Sequence, residues 1–347
     1  MISRTAHRGP SPPIPTASKA PKAAPWQREM AAAVRSLGEL LELLDLDPEA
    51  VGASTEAGLD FPLRVPRGFV DRMTPGDPDD PLLLQVLPRK EETVEQAGWG
   101  DDPLDEASQS PVPGLLQKYT GRALVVLTGA CAIHCRYCFR RHFPYAEHAT
   151  GGAAWQRILE ALAADPTLEE VLLSGGDPLS LADPVLARRV ADLESIPHLR
   201  RLRIHTRQPI VLPSRVDDSL LAWLTTTRLQ PVVVLHCNHP REIDDSVRTA
   251  LGRLRDAAIP VFNQSVLLRG VNDHVSVLCD LSKTLFESGV MPYYLHSMDR
   301  VRGAGHFEVE TSTGKRLVED VLGRLPGYLV PRFVKEVPGA LSKTPVF

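Results

Sequence analysis

From Arg122 to the end of the chain, short apolar runs rich in β-branched residues alternate with longer amphipathic ones. No other feature constrains the fold as strongly. Strands are expected over 123–128, 170–174, 202–206, 232–236, 261–265 and 292–295. Apolar residues at helical spacing fall between them, over 155–164, 184–194, 219–226, 245–257 and 275–287. Parallel neighbours need a crossover, and crossovers are right-handed, so six strand–helix units imply a parallel sheet with helices outside it. Eight units close a full barrel. Six predict an α/β fold built on a partial (β/α)6 TIM-like barrel.

Chemistry in such barrels sits at the C-terminal ends of the strands. Polar signatures follow every predicted strand: Cys131 to Cys138 after the first, Gly175-Gly176-Asp177 after the second and His205-Thr206-Arg207 after the third. His236 to His239 follows the fourth, Asn263-Gln264 ends the fifth, and His296 to Asp299 follows the sixth. Their shared rim predicts one active site.

The remainder of the chain is less regular. Residues 26–44 read as one amphipathic helix, with Leu37, Leu40, Leu41 and Leu44 on a single face. Between 45 and 121, short helical stretches mix with Pro- and Asp-rich turns, which predicts a mainly helical extension (26–120) packed on the core (121–347). Residues 1–25 contain no Asp or Glu and are rich in Pro, Ala and Ser, so a disordered tail is expected there rather than a targeting helix. The net charge of −4 argues against nucleic acid or a membrane surface as a partner. No run approaches the roughly 20 apolar residues of a membrane span.

Of the five cysteines, three (Cys131, Cys135 and Cys138) lie within eight residues, and Cys237 and Cys279 stand alone. An odd count without a secretion signal points away from disulfides, toward a metal or redox site in a reducing, cytoplasmic setting. Three thiolates in one short loop can hold three irons of a cubane cluster, whereas full ligation takes four, so the fourth iron is left open for exchange. The alternative is a zinc site completed by His134 or His142, as in a zinc-stabilised binding module without catalysis. A structural zinc site, however, pairs two distant ligand knuckles, and no second knuckle exists here.

The Cys-x3-Cys-x2-Cys spacing, with Tyr137 before the last cysteine, resembles the signature of the radical S-adenosylmethionine (SAM) superfamily. That resemblance implies a [4Fe-4S] cluster whose open iron binds SAM, with Gly175, Gly176 and Asp177 beside the SAM amino group. It also implies a small electron donor such as a flavodoxin or ferredoxin.

Near the C-terminus, Lys343-Thr344-Pro345 resembles the lysine 2,3-aminomutase family, in which a lysine in this context carries pyridoxal 5′-phosphate (PLP) as a Schiff base. The stretches 136–141, 263–273 and 292–295 resemble the same family. Residues 69–73 and 112–116 are similar to one branch, which supplies β-lysine for modification of elongation factor P in concert with a lysyl-transferring ligase. By position, the resemblance assigns Arg122 to the PLP phosphate, Gln264 to the cofactors, and Arg140 to the substrate carboxylate, where a planar guanidinium suits a bidentate contact. It assigns Asp299 and Glu336 to the distant ammonium of L-lysine. Glu336 stands where the family has aspartate, so the charge is kept on a longer arm. A glutamate substrate would need cations at those positions. An aminomutase for another amino acid and a radical SAM enzyme without PLP are the rival readings. His274 stands where free-lysine aminomutases place a zinc-ligating cysteine, and the chain stops at Phe347 without their cysteine-rich tail, so structural zinc is not expected. Cys237 and Cys279 are expected to be a strand-end and a helix-core residue.

Overall fold

The computed structural model describes residues 23–148 and 150–347. Most of the predicted tail, residues 1–22, lies outside the described residues. The predicted helix over 26–44 is in fact two: α1 (Pro25–Ala31) and α2 (Leu37–Leu43). The break has a local cause. The Val34 amide donates to the Val65 carbonyl at 2.8 Å and the Val65 amide returns the bond at 2.9 Å, which takes residue 34 out of a helical ladder. Ser36 then restarts the helix as N-cap, its hydroxyl accepting from the Glu39 amide. Three short helices follow, α3 (Thr55–Asp60), α4 (Arg67–Val70) and α5 (Pro81–Leu84).

A hairpin comes next. β1 (Leu115–Tyr119) turns at Thr120-Gly121 and pairs antiparallel with β2 (Arg122–Thr128). The strand–helix units then run α6 (Gly152–Ala164), β3 (Glu170–Gly175), α7 (Asp183–Glu194), β4 (Arg201–Thr206), α8 (Gln208–Val211) and α9 (Asp218–Thr226). They continue with β5 (Gln230–His236), α10 (Asp245–Asp256), β6 (Val261–Val266), α11 (Val275–Glu287) and β7 (Met291–His296). The six expected strands correspond to β2–β7 within one or two residues at each end. Three elements follow that the sequence pattern did not show: α12 (Thr311–Leu322), β8 (Arg332–Lys335) and β9 (Thr344–Pro345).

Among the described residues the nine strands form one sheet in chain order. β2 to β8 are parallel throughout, and the hairpin partners β1 and β9 form antiparallel edges. The expected six units are therefore present, lengthened by a seventh parallel strand. The sheet stays open: β1 and β9 are its two borders and share no ladder.

Apolar residues from the first 90 positions, including Trp26, Leu40, Phe69 and Leu82, belong to the same buried cluster as Val125, Leu173 and Ile204 of the sheet. The extension and the barrel thus share one core. Cys237, directly after β5, is fully buried, and Cys279 is buried on α11. No helix among the described residues is long and apolar enough to cross a membrane.

Candidate active site

Side chains alternate across a strand, so every second residue of a barrel strand faces inward. Leu172 and Ser174 on β3, Arg203 and His205 on β4, Gln264 and Val266 on β6, and Tyr294 and His296 on β7 obey that rule and line a cavity of about 520 Å³. The cavity is longer than the rim expected from the sequence. It reaches from the cysteine loop beyond the C-terminal end of β2 to Arg122 at the strand's first residue, and seven residues of strand span roughly 20 Å. All twelve residues singled out above (Cys131, Cys135, Cys138, Gly175, Gly176, Asp177, Gln264, Arg122, Arg140, Asp299, Glu336 and Lys343) line this one space.

The cysteine loop is pressed against the β3 turn. Gly175 has φ +123°, and a Cβ there would lie 2.5 Å from the Thr128 carbonyl oxygen. One at Gly176 would lie 2.6 Å from the Ala130 carbonyl oxygen. Only glycine permits this approach. Asp177 spends its carboxylate on the neighbouring turns: it accepts from the amides of Leu179, Arg207 and Gln208 and from the Thr206 hydroxyl. It thereby fixes the junction between β4 and α8.

The thiols fit a cluster better than a single ion. Burial, followed by the nearby charges of Asp177 and the other cysteines, pushes the Cys131 thiol up. Burial and Cys135 push Cys138 up to about 11. Thiols pushed up in this way need positive charge beside them to ionise, and an iron cluster would supply it. Among the described residues no three His, Cys, Asp or Glu side chains converge as one metal ion requires. His134 and His142, the candidates for a fourth zinc ligand, are directed instead at the Pro62 carbonyl (2.7 Å) and the Arg302 carbonyl (3.2 Å).

At the other end of the cavity, the β8–β9 register sets the amine. Lys335 pairs with Thr344, so Glu336 and Lys343 face each other one residue further on and form an ion pair. The Tyr119 hydroxyl donates to the second Glu336 oxygen at 2.9 Å, reaching from the opposite border of the sheet. Burial resists ionisation of Glu336, but Lys343, Lys118 and Tyr119 outweigh it and hold the carboxyl below its ordinary range. Asp299 forms no ion pair among the described residues, and the pull of Lys343 and Lys118 on it is outweighed. Burial and the charge of Glu336 push it up to about 7. The Lys343 amine lies 5.7 Å from the Tyr294 ring centroid, and the Tyr293 and Tyr294 rings meet tilted at 37°, their centroids 3.8 Å apart. Arg122 and Lys118 bring positive charge to the same wall, as a phosphate dianion would require, and Arg122 lies over the Tyr119 ring.

Arg140 differs most from the expectation. Glu106 grips its fork, with Nε donating to Oε2 at 2.7 Å and Nη2 to Oε1 at 2.8 Å. Lys118 joins the same carboxylate at 2.9 Å. Despite burial, the two cations hold Glu106 down to about 2. Only Nη1 of Arg140 is left for another anion, and it donates to Ser174 Oγ at 3.0 Å. Sequence reasoning missed Glu106, Lys118 and Tyr119. The Thr120-Gly121 turn between two apolar runs was a hairpin signal that would have placed the latter two. Glu106 lies in an acidic loop without periodicity and gave no signal.

Three imidazoles complete the walls. The Nε2 atoms of His205, His236 and His296 are buried and have no hydrogen-bond partner among the described residues. Burial, followed by neighbouring cations, lowers all three, His236 to about 3, so they stand neutral as donors or acceptors for a polar ligand.

A partial barrel whose cavity is lined by three cysteines of one loop is the framework expected of a radical SAM enzyme. No protein-family model matches the chain. Among curated proteins, L-lysine 2,3-aminomutase of Escherichia coli K12 is 48% identical over 322 residues, covering 92% of this chain and 94% of that one. The enzymes of the same name from Haemophilus influenzae and Clostridium subterminale are 45% and 36% identical, covering 88% and 92% of this chain and 90% and 77% of theirs. The chain belongs to the lysine 2,3-aminomutase family. Among solved structures, a radical SAM methyltransferase from Sphaerobacter thermophilus aligns with a TM-score of 0.45 at 18% identity over 63% of this chain and 68% of that one, a likeness too slight to bear on the assignment.

Proposed function

We propose that this cavity moves the α-amino group of L-lysine to C3, giving β-lysine, with Lys343 as the residue that carries PLP. The observation that carries the reading is the Lys343 amine, set by the β8–β9 hairpin inside the cavity whose other end holds the three cysteines. When bound, the cluster and SAM supply hydrogen-atom abstraction, and PLP supplies an electrophilic carbon for the migrating amine.

The remaining work belongs to the protein. Cys131, Cys135 and Cys138 are the proposed cluster ligands, and Gly175, Gly176, Asp177 and Gln264 flank the space for SAM. Arg122 is the proposed phosphate contact. Arg140, braced by Glu106, offers Nη1 to the substrate carboxylate. Glu336 is neutralised by Lys343, and once that amine is engaged the carboxylate is left for another cation. Together with Asp299 it makes an acidic end suited to the ε-ammonium of lysine, which supports lysine over an acidic amino acid. Fixing both ends of the substrate orients C3, and the enclosed walls exclude water from a reactive site.

Residues 69–73 and 112–116 support the finer reading of a supply of β-lysine for elongation factor P together with its ligase; a flavodoxin or ferredoxin as donor follows from the radical SAM resemblance, and a cytoplasmic location from the odd cysteine count. The division into tail (1–25), extension (26–120) and core (121–347) is part of the same proposal, and the shared apolar core supports the packing of extension on barrel.

The test is anaerobic reconstitution with iron, sulfide and PLP, followed by SAM, reductant and L-lysine, with chiral chromatography of the products. β-Lysine is expected from wild type and from neither Cys135→Ala nor Lys343→Ala, and Lys343→Ala should lose the PLP absorbance band. SAM cleavage without β-lysine would overturn the substrate assignment and leave the radical machinery standing.

A further inference from the structure

Arg207 opens the turn after β4 and carries a buried guanidinium toward the cysteine loop. Its Nη1 donates to Cys135 Sγ at 2.7 Å and to the Tyr137 hydroxyl at 2.6 Å. Its Nη2 donates to Gln85 Oε1 at 2.7 Å and to Glu242 Oε2 at 2.9 Å. Glu242 is fully buried and is itself fixed, its Oε1 accepting from the amides of Asn238 and His239 and from Gln85. The Arg207 amide is anchored on Asp177 at 2.7 Å. A buried ion pair is therefore built with its positive member against a cysteine sulfur and its negative member one group behind.

A structural ion pair has no need of a thiol. Burying two charges is costly, and an apolar pair of similar volume would stabilise the fold as well or better. Hydrogen bonds and net charge at the ligating sulfurs are, by contrast, the protein's main means of setting an iron–sulfur potential. In a desolvated setting those effects are larger than in water.

Resting on the assignment of Cys135 as a cluster ligand, we propose that Arg207 and Glu242 are an opposed pair that tunes the reduction potential of the cluster: Arg207 raises it through the Cys135 sulfur, and Glu242 holds that rise in check. The step concerned is the uptake of one electron, which takes [4Fe-4S]2+ to [4Fe-4S]1+. No bond is made or broken and no proton moves. In the measurement the electron comes from dithionite.

The pair predicts shifts of opposite sign. Arg207→Gln removes a donor and a positive charge, so the reduced cluster loses stabilisation and the midpoint potential falls. Glu242→Gln leaves the guanidinium unopposed, and the potential rises. The readout is an EPR-monitored redox titration of reconstituted holoprotein without substrate, on samples matched for iron and sulfide. A mere packing defect has no reason to drive the two variants apart. Arg207→Lys keeps a cation beside Glu242 but gives up the fork that reaches Cys135; it serves if Arg207→Gln fails to load, and its potential must also fall. Unchanged potentials, or shifts of one sign in Arg207→Gln and Glu242→Gln, would overturn the proposal. A protein in which no variant or wild type shows a [4Fe-4S]1+ signal would instead overturn the cluster assignment beneath it.

Discussion

Asp299 and Glu336 lie in the same cavity, yet one is pushed up to about 7 while the other is held down, because Lys343 sits on Glu336. Asp299 is raised above its unfolded value, so its contribution to stability is fully present below about pH 4 and is lost as pH rises through 7. A lysine ammonium favours the opposite state, the anion. The apparent KM for L-lysine should therefore fall as pH rises from 6 toward 8, by up to about tenfold per unit on the acid side, and Asp299→Asn should flatten that limb. A wild-type KM indifferent to pH over this range would count against Asp299 as an ammonium contact. Glu106 runs the other way. Held down to about 2, it contributes stability present above its unfolded value of 4.5 and lost as pH falls from there toward 2. Glu106→Ala leaves the buried Arg140 and the half-buried Lys118 without their counter-ion, and a loss of about 3–5 kcal/mol is expected in urea unfolding.

Among the elements, the β3 turn and the cysteine loop behave as one part. Gly176→Ala would drive a methyl into the Ala130 carbonyl and the Gly129 backbone. The expected result is a loss of about 1–3 kcal/mol of stability and a fall in iron bound per chain after reconstitution. Normal iron loading in that variant would show that the turn does not brace the loop. β3 was readable from sequence because it is buried along its whole length, and a run of apolar residues bounded by turns leaves a strong trace; β4 and β6 instead bury every second residue, the period of two that marks a strand. β8 and β9 are four and two residues long, too short for a period to register. The start of α12, Thr-Ser-Thr-Gly, carries little helix propensity, and the helix stands by packing Gly314 against Phe333 and Leu267. Conversely, the apolar spacing of 26–44 concealed a break made by a partner 31 residues away in sequence, Val65. The cavity residues found by motif were those in stretches of family resemblance. Glu106 was invisible because its meaning depends on Arg140, and no local pattern encodes a contact across 34 residues.

On the scale of the whole molecule, the extension is tied to the barrel by charge as well as by apolar packing. Arg136, in the cysteine loop, is fully buried; it meets Glu92 at 2.6 Å and the carbonyls of Phe61 and Ala57, and Arg141 reaches the same Glu92 at 2.9 Å. Far- and near-ultraviolet circular dichroism should report a single coincident unfolding transition. Arg136→Met should lower it by about 3–5 kcal/mol, since Glu92 loses one of its two cations in a buried site. Two separated transitions in wild type would mean that extension and barrel fold independently. The open sheet has a consequence of its own. Between β1 and β9 no backbone ladder exists, and the gap is spanned by the Tyr119 hydroxyl donating to Glu336, whose other oxygen Lys343 holds from within the β8–β9 hairpin. Parting two strands means breaking a row of backbone bonds together, whereas parting this join means releasing one hydrogen bond to a carboxylate, on the order of 1–3 kcal/mol. The strength of that closure depends on the charge Glu336 carries, which Lys343 sets, so the side wall of the barrel and the amine share one carboxylate.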